Sequence, residues 1–237
     1  MKDKIAYITG GSKGIGFGIA EAILKEGGKV AITSRSLTSS EKAAKELKER
    51  TGNEAVLPIE ADVRILESQN AAVNRVLSTW GRIDVVVANA GLGHFGSIEE
   101  LSLDQWNETI DTNLTGVFNT IKSSLVSLKE SKGFFITISS LAGTNFFAGG
   151  AAYNASKFGL TGFTQAVMLD LRKYGIRVST IMPGSVATYF NGHTPSASDD
   201  WKIQIEDIGE MVVNLVKLNP RTLPSKIEVR PSVPPSA

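Results

Sequence analysis

Ile5-Ala6-Tyr7-Ile8-Thr9-Gly10-Gly11-Ser12-Lys13-Gly14-Ile15-Gly16 is the stretch on which the fold turns. An unbroken apolar run enters a glycine-rich turn, and helical spacing of apolar residues follows over 14–26. That order reads as a buried strand, a tight turn and a helix. The glycines divide the work: Gly10 and Gly11 permit a turn that needs positive φ, Gly14 lets the backbone approach a pyrophosphate, and Gly16 lets the helix pack close to the strand. Free N–H groups and partial positive charge at the start of the helix, around Ser12, Lys13 and Ile15, complement phosphate. The stretch predicts a dinucleotide pyrophosphate site. The competing reading is a tight turn without a ligand, and placement in the first βα unit weighs against it. The spacing G-x-x-x-G-x-G differs from G-x-G-x-x-G and points away from two-domain dehydrogenases.

Outward from this turn, short apolar runs alternate with helical patterns. The runs are 5–9, 30–33, 55–60, 83–88, 134–139, 178–182 and 226–230; the helical patterns are 14–26, 40–50, 67–79, 103–128, 152–173 and 206–218. Continuous hydrophobicity in the runs suits strands covered on both faces. The alternation predicts right-handed βαβ crossovers, an α/β class and an open, doubly wound, seven-stranded parallel sheet. No linker interrupts it, so residues 1–230 read as one domain. Tyr189–Asp200 reads as a loop at the edge of a site, and Pro231–Ala237 as an extended or disordered tail.

Composition narrows the classes. Of 237 residues, 42% are hydrophobic and 21% charged, with a formal net charge of +1, which suits a globular core and leaves nucleic acid without an electrostatic footprint. There are no cysteines and two histidines, which removes disulfides, thiolate chemistry and multi-histidine metal sites. No secretory leader and no apolar run of membrane-spanning length are visible, so a cytoplasmic, membrane-free protein is expected.

Chemistry gathers at the strand ends. After the second strand comes Ser34-Arg35, where a carboxylate would accept from a ribose 2′-hydroxyl. Two cations, Lys13 and Arg35, with no carboxylate favour NADP(H) over NAD(H); as solvated surface charges they would carry no such message. Tyr153 and Lys157 share a helix face at roughly 6 Å between Cβ atoms. An ammonium there would lower a phenol of pKa near ~10 and make Tyr153 a general acid/base, although Y-x-x-x-K alone is a common chance spacing. Ser139-Ser140 and Asn89-Ala90-Gly91 close two further strands at the same edge. Asn113 sits in an otherwise apolar helix, and a packing Asn bonded to backbone is an equal reading.

With these motifs in order from Lys4 to Thr188, the chain resembles the short-chain dehydrogenase/reductase family, and so a Rossmann fold. Asp62-Val63 and Pro183-Gly184-Ser185-Val186-Ala187-Thr188 complete the pattern. The resemblance implies that Asp62 contacts adenine with Val63 beside it, and that Asn89, with Ala90 and Gly91, steadies the central strand and the cofactor. It implies that Ser140 orients a carbonyl, Tyr153 gives the proton, Lys157 binds the nicotinamide ribose, and Asn113 holds a water linking Lys157 to solvent. Pro183 and Gly184 lead to Val186 and Thr188, which would contact the nicotinamide carboxamide. Lys13 matches the basic residue of NADP-dependent members. Implied too are a homo-oligomer, tetramer before dimer, and a small or medium substrate interconverted between carbonyl (ketone, aldehyde or 3-oxoacyl) and alcohol, with reduction favoured.

Two departures bear on substrate. The segment after Thr188 is short and polar, and the chain end lacks the Gly-Gly finish of acyl-carrier-protein reductases. His94, Phe95, Leu141, Asn145, Phe146, Phe147 and Tyr189 are candidate pocket lining, and His94 reads more simply as a loop histidine. A non-catalytic NADP-binding sensor or subunit is the rival reading, and Ser140, Tyr153 and Lys157 all being present speaks against it. An epimerase or dehydratase would want a larger C-terminal domain than the ~50 residues after Thr188 provide.

Overall fold

The computed structural model describes residues 1–234. Seven strands pair in parallel in the order β3-β2-β1-β4-β5-β6-β7. They are β1 (Ile5–Ile8), β2 (Lys29–Ser34), β3 (Val56–Glu60), β4 (Val85–Ala88), β5 (Phe134–Ile138), β6 (Arg177–Pro183) and β7 (Lys226–Val229). Helices α1 (Gly14–Lys25), α2 (Leu37–Thr51), α3 (Leu66–Trp80), α4 (Leu103–Ile110), α5 (Gly116–Ser131), α6 (Ala151–Leu171) and α7 (Ile205–Lys217) cover both faces. This is the doubly wound Rossmann architecture. The order in which strands are added to the sheet reverses between β1 and β4, which leaves a crevice at the carboxyl ends of the strands.

Strand alternation explains the two-sided core. Ala6 and Ile8 pack with Ile19, Ile23, Ile32 and Val212 on the α1/α7 face. Ile5 and Tyr7 pack with Val73, Val86, Val117 and Phe135 on the other. The buried phenol of Tyr7 donates to Gln69 Oε1 at 2.9 Å, which meets the need of a polar atom removed from water. Helix α7 sits tightly on α1 because Gly209 faces Gly18: a Cβ on Gly209 would lie 2.5 Å from the Gly18 carbonyl oxygen. No described helix is long and apolar enough to cross a membrane.

One expected element differs. The single helix over 103–128 follows a helical path from Leu103 to Ser131, but Asp111–Thr115 form a π-turn between α4 and α5. Such turns insert one residue and rotate the stripe that follows. At the centre of this turn is Asn113, 1% exposed. Its Oδ1 accepts from the Leu92 N–H at 2.9 Å, and its Nδ2 donates to the Leu92 carbonyl at 2.8 Å and to Ser156 Oγ at 3.0 Å. Of the expected tail, Pro231–Pro234 have no helix or strand, and 235–237 lie outside the described residues.

Candidate active site

The carboxyl ends of β1, β2 and β4 open into a cleft of about 900 Å³ floored by the glycine turn. Gly10 and Gly14 have φ of +65° and +58°, in the left-handed region where a Cβ is costly. Gly11 corrects the expectation, because it lacks positive φ. Its constraint is contact: a Cβ would meet Ile32 Cγ2 at 2.7 Å. At Gly16 a Cβ would fall 2.5 Å from both Asn89 Nδ2 and the Gly10 carbonyl oxygen, so here close packing is the requirement. Lys13 is the N-cap of α1, makes no side-chain cap, and no acidic residue occupies the first turn. The first N–H groups of α1 therefore keep their polarity for an anion. Asn89 braces the turn, donating from Nδ2 to the carbonyls of Thr9 at 2.9 Å and Gly10 at 3.0 Å.

The far end of the cleft is lined by Ser34, Arg35, Asp62, Val63 and Thr112. The Ser34 hydroxyl is engaged locally, donating to the Ser36 carbonyl at 2.7 Å. Arg35 is 3.5 Å from Glu108 Oε1 on α4, and Glu108 Oε2 is 2.8 Å from His94 Nε2. His94 first, then Arg35 and Arg64, hold the Glu108 carboxyl below the usual carboxylate range against its partial desolvation. Thus His94 belongs to this hydrogen-bonded group. Asp62 is gripped by Arg64, with Nη2 at 2.6 Å from Oδ2, and this guanidinium lowers its pKa. Thr112 Oγ1 is buried with no hydrogen-bond partner among the described residues. An orphaned hydroxyl, a glycine cradle and an uncapped helix start fit a dinucleotide.

Near β5 the cleft meets a second cavity of about 320 Å³, and Tyr153 lines both. Lys157 is 5% exposed. Its Nζ donates to the Ile138 carbonyl at 3.1 Å and lies 5.6 Å from the Tyr153 ring centroid. Burial pulls the Lys157 pKa down to about 8. For Tyr153 the expectation is corrected: burial raises the phenol above its ordinary value, and the opposing influence is a hydrogen bond with Ser140 rather than Lys157. Taking a phenolate out of water is costly, and that cost dominates at Tyr153. Ser140 also accepts from the Ala142 N–H at 3.1 Å. Ser139 turns inward to the Lys157 carbonyl at 3.3 Å.

Asn113 lies behind this group and lines neither cavity. Its amide bonds to Leu92 and Ser156, the packing role weighed from sequence. A Cβ on Gly91 would sit 3.2 Å from Asn113 Oδ1 and 3.7 Å from Lys157 Nζ, so the backbone of Gly91 runs directly past the lysine. Opposite, Pro183, Gly184, Val186 and Thr188 line the smaller cavity. Their path is pinned by the Gly184 N–H on the Val229 carbonyl at 2.8 Å and the Ala187 N–H on the Ile203 carbonyl at 2.9 Å.

Of the suspected pocket aromatics, Phe95 is 5.3 Å from the Tyr153 ring and Phe147 is 6.0 Å from Phe95. Phe146 is 85% exposed. Sequence reasoning missed Phe190, 5.6 Å from Tyr153, and also His193 and Lys202 in the smaller cavity. Two short 3-10 turns, Phe190–Gly192 and Ala197–Asp199, set which side chains of this segment turn inward, and no hydrophobic period announces them.

Comparison with known proteins agrees with this arrangement. Residues 4–199 match the family described as short chain dehydrogenase. A trans-4-hydroxycyclohexanecarboxylate dehydrogenase of Sinomonas cyclohexanicum is 36% identical over 192 residues, which is 79% of this chain and 74% of that protein. An alcohol dehydrogenase of the archaeon Thermococcus sibiricus, solved with 5-hydroxy-NADP, superposes with a TM-score of 0.92 at 34% identity over 100% of both chains. A 3-ketoacyl-(acyl-carrier-protein) reductase of Brucella melitensis, solved with NADH, gives 0.88 at 25% identity over 98% of each chain. With a seven-stranded doubly wound sheet, the glycine turn at its switch point and a match over most of its length, the chain belongs to the short-chain dehydrogenase/reductase family of oxidoreductases acting on alcohol and carbonyl groups.

Proposed function

We infer that this protein reduces a small or medium carbonyl compound to an alcohol with NADPH and runs the reverse reaction with NADP⁺. The observation that carries the reading is the convergence of Ser140, Tyr153 and Lys157 where the long cleft meets the smaller cavity. The nicotinamide, when bound, supplies hydride to the carbonyl carbon. Ser140 holds the carbonyl oxygen, and Tyr153 delivers a proton to it as charge develops. The raised phenol keeps that proton at neutral pH, which suits reduction. Lys157 is the cation beside the phenol and the hand on the nicotinamide ribose. Val186 and Thr188, fixed by the preceding Pro183-Gly184 bend, hold the carboxamide. Gly10 to Gly16 take the pyrophosphate, Asp62 and Val63 the adenine, and Asn89, Ala90 and Gly91 the cofactor's near wall.

NADP(H) is supported by Arg35 and Lys13 with Ser34 in place of a carboxylate, and by the Thermococcus relative's cofactor. NAD(H) is a second reading, because Glu108 already claims Arg35. The ring alcohol in the name of the Sinomonas relative and the oxoacyl group in that of the Brucella relative both belong to the proposed substrate range. Exposed Phe118, Val126, Phe158 and Leu169 on α5 and α6 support a homo-oligomer, a tetramer built through these helices. A cytoplasmic setting suits a chain without cysteine. A panel of ketones and aldehydes with NADPH and NADH, followed by loss of reduced-nicotinamide absorbance, tests the reading. Turnover faster with NADPH is expected, and no turnover of any carbonyl would overturn it.

A further inference from the structure

The cavity beside Tyr153 has a polar corner that proton and hydride transfer leave unused. His193 and Lys202, on the segment after Thr188, both line it. Asp199 is 4% exposed and is not part of the lining. Its carboxylate is spent on its neighbours, with Oδ1 at 2.5 Å from Lys202 Nζ. Oδ2 is 2.7 Å from His193 Nε2 and accepts from the Ser196 N–H at 3.0 Å. The cavity therefore meets Lys202 and His193, while Asp199 lies behind them. An ammonium has three donors and one is used on Asp199; the neutral His193 ring spends its Nε2–H on the Asp199 carboxylate and keeps Nδ1 as an acceptor, so the donors left for an anion are those of Lys202. The Lys202 side chain is 20% exposed, so salt screens it weakly. Across the cavity the wall is aromatic, with Phe190 at 5.6 Å from Tyr153.

A ligand that satisfies all three surfaces has a carbonyl for Ser140 and Tyr153, an apolar body for the rings, and an anionic arm for the corner. We propose that the substrate is an oxo acid, reduced to a hydroxy acid, whose carboxylate is held by Lys202. In the step, hydride adds to the ketone carbon, the carbonyl π bond becomes the alcohol C–O bond, Tyr153 protonates the oxygen, and the carboxylate is unchanged. The proposal rests on the oxidoreductase reading and adds the acid group to it. Asp199 is a positioning residue that fixes both nitrogen-bearing side chains.

The test compares 4-oxocyclohexanecarboxylate with its methyl ester, under NADPH and NADH, in the wild type and Lys202→Met. The wild type should favour the acid in kcat/KM by about tenfold or more, the scale of a hydrogen bond to a charged group. Lys202→Met should bring the pair near parity through the KM of the acid, with kcat on the ester retained as proof of a folded enzyme. Calorimetry should show cyclohexanecarboxylate, but not cyclohexanecarboxamide, losing affinity in Lys202→Met. Equal use of acid and ester by the wild type, or an acid preference that survives Lys202→Met, would overturn the proposal. No turnover of either ketone would overturn the oxidoreductase reading instead, and the calorimetric comparison would still decide the carboxylate site.

Discussion

Glu108 pairs with Arg35, the residue proposed to take a 2′-phosphate, with its Oε1 3.5 Å from the guanidinium. A phosphate must compete with it, so Glu108→Gln should tighten NADPH several-fold and leave NADH nearly unchanged in fluorescence titrations. Equal gains for both cofactors would remove Arg35 as the phosphate ligand. Lys157 offers a second test. Its folded pKa of about 8 lies below its unfolded value of 10.5, so between those pH values the unfolded chain binds the extra proton. Stability from this group therefore rises with pH from about 8 and levels off near 10.5, by up to about 3 kcal/mol. Lys157→Met lacks that gain, and its stability relative to wild type should fall over this window in urea titrations. A constant difference would mean the ammonium is not desolvated. Sequence spacing placed Tyr153 and Lys157 on one face. It could not reveal that burial dominates the phenol, because burial is set by α6 docking against β5 and the segment after Thr188.

At the scale of elements, strands and the glycine turn were legible because strands covered on both faces leave unbroken runs such as Ile5–Ile8 and Val85–Ala88. The π-turn was not, since Ile110, Leu114 and Val117 keep an apolar stripe whether the turn is tight or wide. At its centre is Asn113, whose three hydrogen bonds hold the Leu92 backbone and Ser156. Asn113→Ala should cost about 1–3 kcal/mol by leaving the N–H and C=O of Leu92 without partners, read from the urea midpoint at unchanged m. A neutral result would mean that Leu92 finds other partners. The segment after Thr188 was legible only as a polar loop at the site. Phe190, His193 and Lys202 reach the cavity through 3-10 turns, and such turns leave no periodic trace.

At the scale of the molecule, α5 and α6 expose Phe118, Val126, Phe158 and Leu169, at 44%, 70%, 43% and 56%, more apolar surface than two helices of a lone domain need to show. Light scattering should find a tetramer or dimer, and Phe158→Glu with Leu169→Lys should shift it to smaller species; a monomeric wild type would refute the interface. Every functional claim depends on a phenol that gives its proton where nicotinamide and carbonyl meet. The most direct check is Tyr153→Phe, assayed for ketone reduction and separately for NADPH binding. Loss of the oxygen that carries the proton should lower kcat by at least about 10²-fold with the NADPH dissociation constant nearly unchanged. Full turnover in that variant would contradict the assignment of Tyr153 as proton donor.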